Sequence, residues 1–286
     1  MNGPIRTVAV VGAGTMGLGI AHVCAASGFT TLLFDVQKEQ VATALRIIEK
    51  NLSLAIEKGR ITEEQKVKTL SNIVPVGQMS DLIADLVIEA AVEKLEIKRQ
   101  LFLELEKINK SKAILATNTS SISVSQIAEV LLDKSQCIGL HFFNPADRMK
   151  LVEIIFGTLT NPELVDVMKD FSKSIGKTAV LAKDSPGFIV NRVARHFYVE
   201  SLKLLEENVT DIKTIDALLR SAGFKMGPFE LMDLIGVDTN LAVTQSIYEG
   251  FHQDPKFKPN IIQQRLVDAG HFGRKTGKGF YNYGSK

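Results

Sequence analysis

The clearest suggestion of chemistry in this 286-residue sequence comes from His141 and Glu153, twelve residues apart. They sit in the stretch 138–153, IGLHFFNPADRMKLVE. It begins like a buried strand, places His141, Asn144 and Pro145 where the apolar run stops, and turns apolar again around Glu153. An imidazole at a strand end with a carboxylate nearby suits proton transfer. A satisfied structural histidine would explain the same stretch, so the choice depends on whether other segments supply a cofactor and a substrate.

A cofactor site is legible near the start of the chain. Residues 7–11, TVAVV, form a short apolar run rich in β-branched residues, suited to a strand buried on both faces. It feeds into GAGTMG at 12–17, after which residues 18–26 read as a helix. Gly12 permits the tight turn, Gly14 lets the backbone approach a pyrophosphate, and Gly17 lets helix and strand pack closely. With Thr15 and Met16 they open the helix, whose free N–H groups and dipole favour phosphate. A second strand at 30–34 ends in Asp35, eighteen residues beyond Gly17. A carboxylate there accepts hydrogen bonds from the adenosine ribose of NAD and repels the extra phosphate of NADP.

The elements that must carry the rest follow in order. Helical spacing over 39–58 stops at Gly59 and Arg60, and bases and acids alternate from Lys50 to Lys68. That alternation reads either as a solvated face or as lysines meeting the phosphates of a nucleotide-like carrier. Residues 86–91 and 113–117 read as core strands separated by a helix over 95–107. Asn118-Thr119-Ser120-Ser121 closes the second strand, either as part of a ligand site or as a cap for the segment after Ser123. Strand and helix alternate to about residue 183, with a last strand at 178–182. This predicts an α/β fold, an N-terminal Rossmann-type doubly wound, mostly parallel sheet followed by an all-helical C-terminal domain. The break at Asp184-Ser185-Pro186-Gly187 sets the domains at 1–185, binding NAD, and 186–286, helical. Helices are expected near 187–207, 211–222, 228–250 and 260–269. The stripe Leu202, Leu205, Ile212, Ile215, Leu218 and Leu219 reads as core or dimer contact.

Composition narrows the function classes. Lys and Arg number 34 against 32 Asp and Glu, which gives no broad attraction for nucleic acid or membrane. The only cysteines, Cys24 and Cys137, lie in apolar segments, and no metal-ligand cluster of Cys and His occurs in the sequence. The apolar setting of the cysteines suits buried thiols in a reducing compartment. Residues 7–34 carry no charge, but glycines at 12, 14, 17, 19 and 28 argue against a spanning helix. A cytoplasmic protein is the expectation.

Seven segments in register resemble the 3-hydroxyacyl-CoA dehydrogenase family in its short single-function form. They are GAGTMG at 12–17, NTSS at 118–121, HFFNP at 141–145, MKLVE at 149–153, DSPGFIVNR at 184–192, MGPFEL at 226–231 and GRKTGKGFY at 273–281. The resemblance implies an NAD-dependent oxidation of (3S)-3-hydroxyacyl-CoA to 3-oxoacyl-CoA and its reverse, within fatty-acid metabolism, by a homodimer. It implies that His141 is the general base paired to Glu153, and that Ser120 and Asn191 line the reaction centre and touch substrate. Glu93, Lys98, Ser120 and Asn144 then look like cofactor contacts, and Lys58 like a contact to CoA. The departure from the family pattern is Ala146-Asp147-Arg148, where Arg148 either favours a polar or carboxylate-bearing acyl group or faces solvent. A dehydrogenase of free 3-hydroxy acids and a catalytically silent NAD-binding homologue are the alternatives.

Overall fold

In the computed structural model, which describes residues 4–110 and 112–284, the chain divides into two compact units, one ending at Ser185 and the other beginning at Pro186. The first is built on eight strands: β1 (Thr7–Val11), β2 (Thr30–Phe34), β3 (Ile73–Pro75), β4 (Leu86–Glu89), β5 (Ile114–Thr117), β6 (Cys137–Phe142), β7 (Leu151–Phe156) and β8 (Thr178–Lys183). They form one sheet in the order β3-β2-β1-β4-β5-β6-β7-β8. All neighbours run parallel except β6 and β7, which are antiparallel. The order reverses between β1 and β4, and that reversal opens a crevice at their carboxyl ends.

The central strands are mostly apolar because helices cover both faces of the sheet. Every residue of β4 and β5 is buried. The covering helices are α1 (Thr15–Ala26), α2 (Lys38–Glu57), α3 (Glu63–Ser71), α4 (Leu95–Asn109), α5 (Val124–Ala128) and α6 (Glu163–Ser174). Ile20 of α1 and Ile48 of α2 are fully buried with Val8, Val10, Leu33 and Ile88 in one core. Each such side chain contributes about 1.5–3 kcal/mol of transfer free energy.

Two strands lie outside the sequence-based expectation. β3 is only three residues long and contains Pro75, so alternation has little length over which to show. β7 is buried along its middle and carries Glu153 among apolar residues, so neither a clean alternation nor an uninterrupted apolar run marks it.

The second unit contains α7 (Val190–Glu206), α8 (Ile212–Ser221), α9 (Pro228–Ile235), α10 (Val237–Gly250) and α11 (Ile261–Asp268). The single helix expected over 228–250 is two, separated by Gly236 at φ 107°. Tyr198, Leu202, Ile215, Phe229 and Met232 make the core. Leu205, Ile212 and Leu219 pack against it, whereas Leu218 is 67% exposed, so most of the predicted stripe is core. Buried Asp216 accepts hydrogen bonds from the Phe229 and Glu230 N–H groups and the Tyr281 hydroxyl, which caps α9 and ties it to the glycine-rich tail.

Candidate active site

The antiparallel pairing of β6 with β7 explains the twelve-residue spacing. The intervening segment reverses the chain so that His141 lies directly opposite Glu153 in the register. Opposed residues in such a pair bring their Cβ atoms to about 4.5–5.5 Å. Here the two side chains meet, with His141 Nδ1 at 2.7 Å from Glu153 Oε2. Glu153 is fully buried and His141 is 5% exposed, so the contact is shielded from water. The imidazole also packs on Phe143, with 4.6 Å between ring centroids. Asn144 follows at the strand end and precedes Pro145 through a cis peptide bond.

The neighbouring strand ends are tied to this one. Asn118 Oδ1, just past β5, accepts the Phe142 N–H at 2.8 Å and joins the β5 exit to the β6 exit. The Thr119–Ser121 segment wraps around Glu93. Glu93 Oε1 accepts from the Thr119 hydroxyl at 2.6 Å and from the Ser120 N–H at 2.9 Å. Burial alone would raise the Glu93 carboxyl, but the Lys98 ammonium and these donors outweigh it and hold it below the ordinary carboxylate value. Of the two roles open for the polar cluster, helix capping falls to Ser123, whose Oγ accepts the Gln126 N–H. Asp184 supports that turn, accepting from the Ser123 hydroxyl and from the Val124 and Ser125 N–H groups.

Lys98 is 1% exposed, and its ammonium is held 2.6 Å from Glu89 and 3.2 Å from Glu93. Glu89 is the anchor that the sequence reading did not single out. At the end of β4 and fully buried, it accepts from Lys98, from the Ala91 N–H at 2.7 Å and from the Thr117 hydroxyl at 2.7 Å. A carboxylate closing the apolar run Leu86-Val87-Ile88 was the available signal, since such a charge is buried only with partners.

The glycine motif and Asp35 meet in a cleft of about 490 Å³ lined by Gly12, Gly14, Asp35, Val36, Ala90 and Ala91 among others. Gly12 has φ +104°, and a Cβ there would press on the Ala90 carbonyl; a Cβ on Gly17 would overlap the Gly12 carbonyl oxygen. A Cβ at Gly14 would meet nothing within 4 Å, so a ligand can approach the backbone there. Gly14 caps α1 without a side chain, leaving the first-turn N–H groups at Thr15 and Met16 to serve an anion. Asp35 accepts from the Ala13 N–H at 2.8 Å and the Gln37 N–H at 2.9 Å, which fixes its carboxylate beside the loop. Cleft, uncapped helix end and fixed carboxylate fit a dinucleotide.

Lys58 and Asn191 stand on other elements. Lys58, just beyond α2, lines a second cleft of about 500 Å³ with Arg60, Lys68 and Arg148. Lys50 is exposed and Lys66 pairs with Glu63, so the basic stretch divides between a solvated face and a cleft wall. Asn191 stands in the first turn of α7 in the second unit, where its carbonyl accepts from Arg195 Nε at 3.2 Å. Among the described residues no group of His, Cys, Asp and Glu could hold a metal ion, and no helix is long and apolar enough to cross a membrane.

Relatives and family models agree on what this chain is similar to. A 3-hydroxyadipyl-CoA dehydrogenase of Escherichia coli K12 is 46% identical over 281 residues, 98% of this chain, and the chain spans 59% of that protein's length. A 3-hydroxybutyryl-CoA dehydrogenase of Bradyrhizobium diazoefficiens is 42% identical, covering 98% of this chain and 96% of its own. The crystal structure of an (S)-3-hydroxybutyryl-CoA dehydrogenase from Ralstonia eutropha superposes with a TM-score of 0.94 at 38% identity, covering 98% of this chain and 100% of that one. The family model for the 3-hydroxyacyl-CoA dehydrogenase NAD-binding domain matches residues 7–185 and that for the C-terminal domain matches 187–283, so the chain belongs to the 3-hydroxyacyl-CoA dehydrogenase family.

Proposed function

We propose that this chain catalyses the NAD-dependent interconversion of a (3S)-3-hydroxyacyl-CoA and its 3-oxoacyl-CoA, with His141 as the general base. The observation that carries the reading is the buried 2.7 Å contact between His141 and Glu153 at the exit of the sheet. Bound NAD supplies the hydride acceptor. Oxidation also requires the hydroxyl to lose its proton, and His141 takes it on Nε2 while the Nδ1 hydrogen is directed to Glu153. Glu153 fixes the ring orientation and stabilises the imidazolium that forms. Ser120, oriented through its neighbours on Glu93, and Asn191 donate hydrogen bonds to the substrate oxygens as charge develops. Asp35 accepts from the adenosine ribose, while Glu93, with Lys98 behind it, and Asn144 contact the cofactor. Lys58 contacts CoA.

Self-association through the helical unit completes the proposal; exposed Val193, Leu218 and Phe224 in that unit support it. The cysteines Cys24 and Cys137 are both buried and unpaired, which supports work in a reducing, cytoplasmic compartment. The names of the relatives span adipyl and butyryl chains, so length and terminal charge of the acyl group are the open variable. The test is NADH formation from a panel of 3-hydroxyacyl-CoAs of varied length and terminal charge beside the free 3-hydroxy acids, with NAD and with NADP. Turnover of CoA thioesters with NAD is expected. Turnover of free acids alone would overturn the proposal.

A further inference from the structure

Glu93 and Ser120 rest on a closed ring of polar side chains at the exits of β4 and β5. Glu89 and Thr117 are directly opposed in the parallel register of these strands. The Thr117 hydroxyl donates to Glu89 Oε2 at 2.7 Å and accepts the Thr119 N–H at 3.2 Å. The Thr119 hydroxyl donates to Glu93 Oε1, which also accepts the Ser120 and Ser121 N–H groups. Glu93 Oε2 meets the Lys98 ammonium at 3.2 Å, and Lys98 returns to Glu89 Oε1 at 2.6 Å. Glu89, Lys98, Thr117 and Thr119 are each no more than 1% exposed, whereas the Glu93 side chain is 37% exposed, so the ring meets a ligand at Glu93 and is sealed behind it.

The ring holds one ammonium between two carboxylates, and the geometry gives each carboxylate a different task. A buried ammonium needs a counter-charge, and Glu89 supplies the nearer one from inside the sheet. Lys98 is then not drawn wholly onto Glu93, which keeps Oε1 turned to the Thr119–Ser121 segment. Three donors converge on Glu89, from Lys98, the Ala91 N–H and Thr117. A carboxylate serves all three with two oxygens. An amide in its place has one oxygen for Lys98 and Ala91 and turns its own N–H toward Thr117, whose hydroxyl already accepts from Thr119. Glu89 is fully buried and lines neither the dinucleotide cleft nor the cleft at Lys58. We infer that Glu89 is a positioning residue for the dehydrogenase reaction: through Lys98 and through Thr117 and Thr119 it fixes Glu93, and through Glu93 it sets the place of Ser120 at the substrate oxygen. The inference rests on the role proposed for Ser120.

The test is a double-mutant cycle of Glu89→Gln with Ser120→Ala, read as kcat for (3S)-3-hydroxybutyryl-CoA at saturating NAD. Glu89→Gln keeps the shape of the side chain and leaves Glu93 as a counter-charge for Lys98, so the fold is expected to persist. It should lower kcat by roughly tenfold to a hundredfold, the scale of a misplaced donor at a reaction centre. In the Ser120→Ala background the same substitution should cost less than about threefold, because the hydroxyl that it positions is already gone. A Glu89 that serves stability alone gives the same factor in both backgrounds, or a lower Tm with an unchanged kcat; either result overturns the inference. Thr117→Val opens the ring at a second point with a side chain of similar shape that suits a strand. Its loss of kcat should likewise fade in the Ser120→Ala background, and Thr117→Ser, which restores the hydroxyl, should recover most of it. Should Glu89→Gln fail to fold, the Thr117 variants decide by the same criterion. If Ser120→Ala alone keeps the wild-type kcat, or wild type turns over no CoA thioester, the proposed function fails at that point and the inference falls with it. A loss in Ser120→Ala to which the Glu89→Gln loss simply adds sinks the inference alone.

Discussion

Glu153→Gln isolates the electrostatic part of the proposed His141 mechanism. The substitution keeps the shape of a side chain that is fully buried in β7, so the antiparallel β6–β7 ladder and the packing around it persist. What it removes is the negative charge 2.7 Å from His141 Nδ1. A hydrogen bond to a charged group contributes about 1.5–3 kcal/mol against about 1 kcal/mol for a neutral one. In the proposed reaction the full charged interaction exists only once the imidazole has taken the proton, so its loss falls on the transition state. The difference is about 0.5–2 kcal/mol, so at about 1.4 kcal/mol per factor of ten kcat should fall by about twofold to thirtyfold. The NAD dissociation constant should stay within about twofold, because neither residue lines the dinucleotide cleft. Stopped-flow NADH formation with substrate deuterated at C3 provides the assay, since slowing chemistry against product release should enlarge the isotope effect. A variant that folds, binds NAD and keeps the wild-type kcat would refute the reasoning.

Three further predictions follow from the cofactor side. Asp35→Ala should raise KM for NAD by about ten- to a hundredfold through lost hydrogen bonds to a carboxylate and move the NAD/NADP preference toward NADP, with an unchanged preference counting against the assignment. Gly17→Ala would drive a Cβ into the Gly12 carbonyl and should cost about 1–3 kcal/mol, seen as a fall of roughly several degrees in Tm by calorimetry. Glu93 has its carboxyl held below the ordinary value of 4.5, so the folded state binds fewer protons than the unfolded one in the acid range. Its contribution is complete above about pH 4.5 and is lost as pH falls through the lower folded value; urea unfolding between pH 3 and 5 should therefore show a shallower pH slope for Glu93→Gln than for wild type.

Much of the candidate site was legible because its residues stand in local patterns. The strand-glycine-helix run and Asp35 are close in sequence, and they meet in one cleft because β1 and β2 are neighbours in the sheet. His141 and Glu153 could be noticed as a pair, but the cause of their meeting is long-range: an antiparallel register that β7, an apolar strand interrupted by Glu153, does not advertise. Glu89 escaped notice for a related reason. It ends an ordinary apolar strand, and its partners Lys98 and Thr117 come from the following helix and the next strand. The break at Gly236 was hidden because the apolar pattern continues across it from α9 into α10. The two readings of the basic stretch could not be separated from periodicity, since Lys50 within α2 and Lys58 just beyond its end belong to the same alternation of bases and acids.

His141 as the proton acceptor in a 3-hydroxyacyl-CoA dehydrogenase is tested most directly by the initial rate of NADH formation from (3S)-3-hydroxybutyryl-CoA for wild type and His141→Ala at saturating NAD. We expect turnover by wild type, a fall of at least about a hundredfold in the variant, and NAD binding within about twofold of wild type. An unchanged rate in His141→Ala, or a wild-type enzyme that folds and binds NAD yet does not oxidise the thioester, would contradict the account.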